Sequence, residues 1–350
     1  MPTEPASADQ VAYCHAVAVL VPGRSRLLLA LNVNSLKSLL NPKRGKDPSL
    51  TLPEVPQFIK EEFGLNGLAL SADLLAGSNR RDLEAFRERS DRAGCACLLL
   101  HETTPLELGS LNEAVAEQAC DRLDRILHAG RFLGTNSVAF TPAAGKDEDE
   151  LDFTAEAIKR AMGLAEKHEM NLLIYPAQGL TSTPDDVTNL LKRVGGFRVG
   201  TFPDFEYAST FDDPAGYLKK MCPYASAISA SMLDFVVPES EPERKKPTKK
   251  TKAPAKSAAQ TDESEVPTDS VKETDEALDE LDEFLDELDE MWEPPVHTAF
   301  DIQPMVGAVL AVGYDGALII DYRGKGNPAD GVQNCIYALE DAVRAEVEKS

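Results

Sequence analysis

Short apolar runs alternate with amphipathic stretches along most of this sequence. Apolar runs with little polar alternation are typical of strands covered on both faces, and the spacing between them is typical of amphipathic helices. The pattern predicts eight strands, at Leu27–Val33, Gly67–Ser71, Ala96–His101, Ser137–Thr141, Asn171–Tyr175, Arg198–Phe202, Ala225–Ser231 and Ala317–Tyr322. It predicts eight helices, at Leu52–Phe63, Arg80–Ala93, Leu111–His128, Phe153–His168, Pro184–Arg193, Asp213–Met221, Phe300–Gly313 and Pro328–Val347. Strands that alternate with helices indicate a parallel sheet.

Local signals mark where several of these helices begin and end. The run Ser182-Thr183-Pro184-Asp185-Asp186 places a capping hydroxyl before a proline and two acids, which is typical of a helix N-terminus. Glycines that follow a helical pattern are expected to close it in a left-handed conformation, and four occupy such positions: Gly94, Gly130, Gly195 and Gly313.

The number of strand and helix units favours one fold class. Eight units in about 295 residues predict a (β/α)8 TIM barrel rather than an open doubly wound sheet. No glycine-rich Gly-x-Gly-x-x-Gly motif follows the first strand, which argues against a dinucleotide-binding fold.

Two segments lie outside this alternation. Residues 1–25 form an N-terminal extension that is compatible with a hairpin around Pro22-Gly23-Arg24-Ser25. Residues 238–295 form a charged insertion between strand seven and the seventh helix, and residues 26–237 and 296–350 are assigned to the barrel. The first part of the insertion, Glu243–Ser257, is rich in Pro, Lys, Thr, Ala and Ser and is expected to be a disordered tether.

The second part of the insertion predicts an acidic amphipathic helix at 274–292. One helical stripe contains Leu278, Leu281, Leu285, Leu288 and Trp292, against a background of Asp and Glu. Repulsion between so many like charges makes an isolated helix marginal in water. The segment is either a solvated acidic spacer or a helix that docks on a basic, apolar groove of this barrel or of a protein partner.

Composition limits the classes of partner. The 350 residues carry a formal charge of -23, nearly half of it in the insertion, which argues against nucleic acid and anionic membranes as partners. The sequence shows no signal peptide and no membrane span. Six scattered cysteines without paired CxxC motifs are compatible with a reduced, cytoplasmic location.

Four stretches, in order and at compatible spacing, resemble the xylose isomerase-like barrels, a family of sugar-phosphate isomerases and epimerases that includes relatives of the apurinic endonucleases. Leu52–Leu70 resembles the family's first helix and second strand, and Phe132–Phe140 its fourth strand. Gly200–Phe205 resembles the sixth strand, and Gly313–Gly324, with its Gly-Tyr-Asp-Gly turn, the last. The resemblance implies a barrel whose mouth carries the active site.

The resemblance also implies a divalent metal (Mn, Mg, Zn or Co) held by an acid after strand five, an acid after strand six, a His after strand seven and a Glu after strand eight. This sequence retains only part of that set, with Asp204 and Asp321 at the sixth and eighth strands. Tyr175 stands at the strand-five position, and Ser229 at the position of the His. A neutral tyrosine and a serine are poor ligands for such a metal, so the metal site is expected to be incomplete.

Further candidates lie at the predicted strand ends. Asp204, Asp321 and His101 are candidate proton carriers, and Glu102 next to His101 is expected to be a solvated loop acid. Candidate substrate contacts are Tyr175, Gln178, Glu206, Ser229, Ser231 and Arg323, and Asn32, Asn34, Asp73 and Thr141 are also expected at the mouth. A guanidinium such as that of Arg323 suits a phosphate or a carboxylate, although a structural role is equally open for each of these residues.

Two functions remain open from sequence. The first is a sugar or sugar-phosphate isomerase or epimerase that acts through an enediolate with a remodelled metal site. The second is a catalytically inactive barrel that acts as a binding or interaction protein through its acidic helix.

Overall fold

The computed structural model describes residues 27–41, 47–143, 147–237 and 294–349. Its strands are β1 Leu28–Asn32, β2 Gly67–Ser71, β3 Ala96–Leu106, β4 Ser137–Pro142, β5 Asn171–Ile174, β6 Val199–Thr201, β7 Ala227–Met232, β8 Phe235–Val236, β9 Val296–His297 and β10 Ala317–Tyr322. Its α-helices are α1 Lys37–Leu40, α2 Val55–Phe63, α3 Arg80–Ala93, α4 Glu113–Leu133, α5 Glu148–Lys167, α6 Pro184–Val194, α7 Phe205–Ala208, α8 Pro214–Met221, α9 Gln303–Ala311 and α10 Pro328–Glu348. Each predicted strand and helix is present; β2, α3 and β10 have the predicted bounds, and the others differ at one or both ends.

Eight of the strands form one parallel sheet in the order β6-β5-β4-β3-β2-β1-β10-β7. The two outer strands of that order meet through the parallel bridges Thr201↔Ala225 and Asp204↔Ser229, and the amide of Ser229 donates to the carbonyl of Pro203 over 2.8 Å. These contacts join β6 to β7 and close the sheet. The (β/α)8 barrel predicted from the sequence is therefore confirmed.

The strands form because both of their faces are buried. Every residue of β2, β4, β7 and β10 is buried, as expected where helices cover a parallel sheet on its outside and side chains fill it on its inside. The inner layer contains small and large apolar side chains that interdigitate: Ala30, Ala69, Leu99, Ala139, Leu173, Phe202, Ala227, Ala317 and Ile319. A second, larger cluster packs the outer faces of the strands against the helices.

Most helices begin at a side chain that caps them. Thr183 accepts a hydrogen bond from the amide of Asp186 over 3.1 Å, as its sequence predicted, and Asn79, Asn112, Asp213 and Asn327 act in the same way. Left-handed glycines follow several helices, including Gly94 with a φ of 67° and Gly313 with a φ of 72°.

The predicted stop at Gly130 is wrong. Helix α4 continues to Leu133 and ends at Gly134, whose φ is 75°. A Cβ on Gly130 would lie 2.9 Å from Thr135 Oγ1 and 3.2 Å from Met170 Sδ, so this glycine permits close packing within the helix and does not end it.

Three segments named from sequence lie outside the described residues. These are the N-terminal extension at 1–25, the tether Glu243–Ser257 and the acidic helix predicted at 274–292. Among the described helices, none combines the length and apolar character that a membrane crossing requires.

Candidate functional site at the barrel mouth

The mouth of the barrel is lined by the side chains that follow the inner apolar layer. Alternate residues of a strand point to the same face, so the residue two places after the last inner apolar residue of a strand, or four places after Ala227 in β7, also points inward. Those residues, one from each strand of the barrel or from the turn that directly follows it, are Asn32, Ser71, His101, Thr141, Tyr175, Asp204, Ser231 and Asp321. All but Ser71 were expected at the mouth from the sequence.

Arg323 connects several of these side chains. Its Nη2 lies 2.7 Å from Asp204 Oδ2 and 2.6 Å from Asp321 Oδ2, and its Nε lies 2.9 Å from the same oxygen of Asp321. Its Nη1 contacts Glu206 Oε2 at 2.5 Å, and its Nη2 also lies 3.4 Å from the hydroxyl of Tyr175. One guanidinium therefore joins groups at the ends of β5, β6 and β10.

Asp204 is almost completely buried, and both of its carboxylate oxygens accept hydrogen bonds. Its Oδ1 accepts hydrogen bonds from the amide of Tyr207 and from the hydroxyl of Ser231, each over 2.9 Å. The first of these bonds caps the short helix α7. Ser231 in turn accepts from the amide of Glu206 over 2.8 Å, which fixes the loop that carries both carboxylates.

Burial and charge set the protonation of the mouth. Burial raises the pKa of Asp321 above its usual value, although Arg323 and a hydrogen bond with Asn32 oppose the shift. Burial lowers the pKa of Arg323, but the carboxylates of Asp321 and Asp204 outweigh burial and hold it above its ordinary value. Burial also raises the pKa of Tyr175, so this phenol stays protonated.

His101 lies in an aromatic corner of the mouth. Its ring centroid is 4.8 Å from that of Tyr175 and 5.6 Å from that of Phe202. Burial lowers its pKa to about 4, against an opposing effect of Asp204, so the imidazole is neutral at pH 7. Within the described part of the chain, its buried Nε2 makes no hydrogen bond, and this leaves an acceptor or donor for a ligand.

The remaining candidates form no hydrogen bond with Arg323 in the described part of the chain. Ser229 is buried in β7, two residues before Ser231, and Thr141 is buried at the end of β4. Gln178 is exposed in the loop after β5. Asp73 pairs with Lys37 over 2.9 Å, and Asn34 donates a short hydrogen bond to Ser71, while its buried Oδ1 has no partner among the described residues.

The expectation that Glu102 is a solvated loop acid is wrong. Its side chain is only 2% exposed and pairs with Arg122 of α4 at 2.6 Å. The strand continues past His101 to Leu106, so the residue after the inward-facing His101 points outward to the helix layer.

Two residues of the mouth were missed from sequence. Phe202 packs against both His101 and Tyr175, and Ser71 accepts from Asn34. Each lies two positions from a residue whose inward direction was predictable, so the period of two along a strand is the signal that identifies them.

These residues do not fit the metal that the family resemblance implies. Among the described residues, no three His, Cys, Asp or Glu side chains are arranged to hold a metal ion. The two carboxylates that the resemblance assigns as ligands, Asp204 and Asp321, are both paired with Arg323. Tyr175 and the serines of β7 supply no anionic ligand.

The family is decided by a comparison with protein-family models. The model described as "xylose isomerase-like TIM barrel" matches residues 60–342, which is most of the chain. The chain belongs to the xylose isomerase-like TIM barrel family. No curated protein matches this member of the family in sequence.

Several solved structures share the fold of this family member at low sequence identity. An L-ribulose 3-epimerase superposes with a TM-score of 0.63 at 11% identity, covering 92% of this chain and 97% of its own. A 3-keto-D-glucoside 4-epimerase from E. coli in its apo form gives 0.56 at 12% identity, covering 93% and 100%. The IOLI protein with a zinc atom gives 0.58 at 12% identity, covering 91% and 99%. At these identities the similarity establishes the fold.

Proposed function

We propose that this barrel binds a small carbohydrate at its mouth and acts on it as a sugar isomerase or epimerase. The observation that supports the proposal is the convergence of His101, Tyr175, Asp204, Asp321 and Arg323 at the carboxyl ends of the barrel strands. Active sites of this fold lie at that end, and two of the similar structures are sugar epimerases.

The charge of the mouth favours an uncharged sugar over a sugar phosphate. Arg323 is the guanidinium that the sequence offered for a phosphate, but Asp204, Asp321, Glu206 and Tyr175 already engage its donors. Three carboxylates surround this one cation, so a phosphate would meet a negative excess and would have to displace a carboxylate. Hydroxyl groups of a neutral sugar can instead share hydrogen bonds with these side chains.

Isomerisation and epimerisation both require a proton to leave a carbon next to a carbonyl. We assign His101 as the acceptor, because it is neutral and its Nε2 is buried without a hydrogen bond in the described residues. We assign Asp321 as the second proton carrier: ionised against Arg323 in the resting protein, it takes a proton from solvent and returns it to the enediolate, while His101 releases its own proton to solvent. The raised pKa of Asp321 favours that uptake, and β2 and β1 separate its strand from that of His101.

Proton exchange with solvent tests this proposal directly. The chain, treated with EDTA, would be incubated in D2O with a panel of neutral ketopentoses and ketohexoses and with their phosphates. We expect deuterium at the carbon next to the carbonyl of a neutral sugar, measured by NMR, and a loss of about 100-fold or more in His101→Gln. Glu84→Gln, on the exposed face of α3, is the matched control and should exchange like the wild type.

A barrel that binds without catalysis is the second candidate. It is favoured by the full engagement of Asp204, which leaves that carboxylate no free oxygen for proton transfer. Saturable binding of a neutral sugar by calorimetry, with no deuterium incorporated, would establish this function instead. Absence of both binding and exchange over the whole panel would reject both candidates.

The proposals made from sequence for the insertion do not rest on the geometry of the mouth. A protein partner, or a groove on this barrel, for the acidic helix at 274–292 stays a prediction. Deletion of Thr274–Trp292 should leave the melting temperature of the barrel unchanged and remove a partner in affinity capture. A change in sugar binding alone would identify the segment as a lid over the mouth.

A further inference from the structure

We propose that the guanidinium of Arg323 is the resident cation of this barrel mouth and takes the place of a divalent metal there. Its Nη2 lies between Asp204 Oδ2 at 2.7 Å and Asp321 Oδ2 at 2.6 Å, the two carboxylates that the resemblance assigned to a metal. A third carboxylate, that of Glu206, contacts Nη1 at 2.5 Å. The same acidic groups that would attract a cation from solution are thus paired with a cation that is a covalent part of the chain.

The hydrogen bonds around the cluster leave little capacity for a metal. Asp204 uses Oδ1 for the amide of Tyr207 and the hydroxyl of Ser231, and Oδ2 for Arg323. Asp321 uses Oδ2 twice for Arg323. A metal bound here would have to displace the guanidinium, which would leave a positive charge beside it and is electrostatically unfavourable.

Arg323 also links the ends of several strands, as a bound metal would. It follows β10, and its side chain reaches past β7 to Asp204 beyond the end of β6 and to Tyr175 beyond the end of β5. The bridges between β6 and β7 are the isolated pairs Thr201↔Ala225 and Asp204↔Ser229, so this is the seam at which the barrel closes. The guanidinium therefore stabilises the closing seam from the mouth side.

This proposal concerns the resting protein and does not depend on turnover of a carbohydrate. It is tested by titration of the full, EDTA-treated chain with Mn²⁺, with the free ion measured by EPR. Acidic residues outside the mouth bind Mn²⁺ weakly, so the wild type gives the baseline, and Asp321→Asn should match it. In Arg323→Ala, three carboxylates lose their cation, and we expect Mn²⁺ to bind at least tenfold more tightly than the baseline.

The tighter binding of Mn²⁺ by Arg323→Ala must depend on the carboxylates that Arg323 contacts. Adding Asp321→Asn to Arg323→Ala should return binding to the baseline. Arg323→Met, which keeps the length of the side chain, serves if the alanine variant does not fold, and refolding of either variant by Mn²⁺ counts as the gain. The proposal would be overturned if the wild type bound Mn²⁺ at a site that Asp321→Asn removes. It would also be overturned if Mn²⁺ neither bound to nor refolded the variants that lack Arg323.

Discussion

At the scale of single residues, the mouth owes its properties to charges that are buried together. Asp204 is 1% exposed and Asp321 7% exposed, while Arg323 remains 31% exposed. A buried carboxylate without its counter-ion is costly, whereas an exposed ion pair contributes little. The contacts of Arg323 should therefore differ widely in energetic weight.

Substitution of Asp204 should separate these contacts. Asp204→Asn keeps the size of the side chain and an oxygen to cap α7, but it removes the charge that faces Arg323 at 2.7 Å. We expect a loss of about 2 kcal/mol in the free energy of unfolding, measured with urea, because a hydrogen bond to a charged group contributes about 1.5–3 kcal/mol. Glu206→Gln, at the most exposed end of the cluster, is the control and should cost less than about 1 kcal/mol. Equal losses in the two variants would contradict this ranking.

His101 should make stability depend on pH. Its pKa is about 4 in the folded protein and near the ordinary imidazole value of 6.5 in the unfolded chain, so only the unfolded chain binds this proton between those values. Stability is thus complete above pH 6.5 and declines as the pH falls toward 4, by up to about 3 kcal/mol from this residue.

His101→Phe keeps the aromatic contacts with Tyr175 and Phe202 and removes the titration. The difference in the free energy of unfolding between this variant and the wild type should be constant above pH 7 and shift in favour of the variant from pH 6.5 to 4. Urea unfolding at several pH values measures it. A difference that does not vary with pH would show that the imidazole is not buried in its neutral form.

At the scale of elements, close approach between strands and turns decides where glycine is required. A Cβ on Gly200 of β6 would lie 2.3 Å from the carbonyl oxygen of Tyr224, which belongs to the short turn before β7. Gly163 of α5 has no atom within 4 Å of the same position. A side chain at Gly200 would therefore clash, whereas one at Gly163 would not, although the residue type is the same at both positions.

An alanine at each position measures that contrast. Gly200→Ala should destabilise the protein by about 1–3 kcal/mol through overpacking at the closing seam. Gly163→Ala should stabilise it by about 0.5–1 kcal/mol, because alanine is the better helix former. Thermal or urea unfolding of the two variants checks the signs, and a stabilising Gly200→Ala would mean that the seam is looser than these contacts indicate.

The boundaries of elements were predictable where the signal is local. Asn79, Asn112 and Thr183 act at the helix starts through bonds to amides two or three residues away, which a sequence pattern can reveal. Gly130 was wrongly predicted to end a helix, because the residues that leave no room for a side chain there are Thr135 and Met170, and Met170 is distant in sequence. Glu102 misled because β3 extends five residues beyond His101, which turned an expected loop acid into a buried one.

At the scale of the whole molecule, the alternation of strand and helix was enough to predict the barrel, and the period of two along strands was enough to place most mouth residues. The ion-pair network was not predictable in this way. Arg323 is 119 residues from Asp204 and 148 from Tyr175 in sequence, and which of several neighbouring groups its guanidinium meets depends on the closed geometry. The sequence indicated an incomplete metal site but not the guanidinium that pairs with Asp204 and Asp321.

This member of the xylose isomerase-like TIM barrel family therefore presents a mouth in which a guanidinium stands between two carboxylates. Crystals of the wild-type protein soaked in MnCl2 and measured at the manganese absorption edge would locate any bound metal. We predict no anomalous difference density between Asp204 and Asp321, with Arg323 retained at 2.6–2.7 Å from both. An anomalous peak between these carboxylates, with the guanidinium displaced, would contradict the assignment of Arg323 as the resident cation.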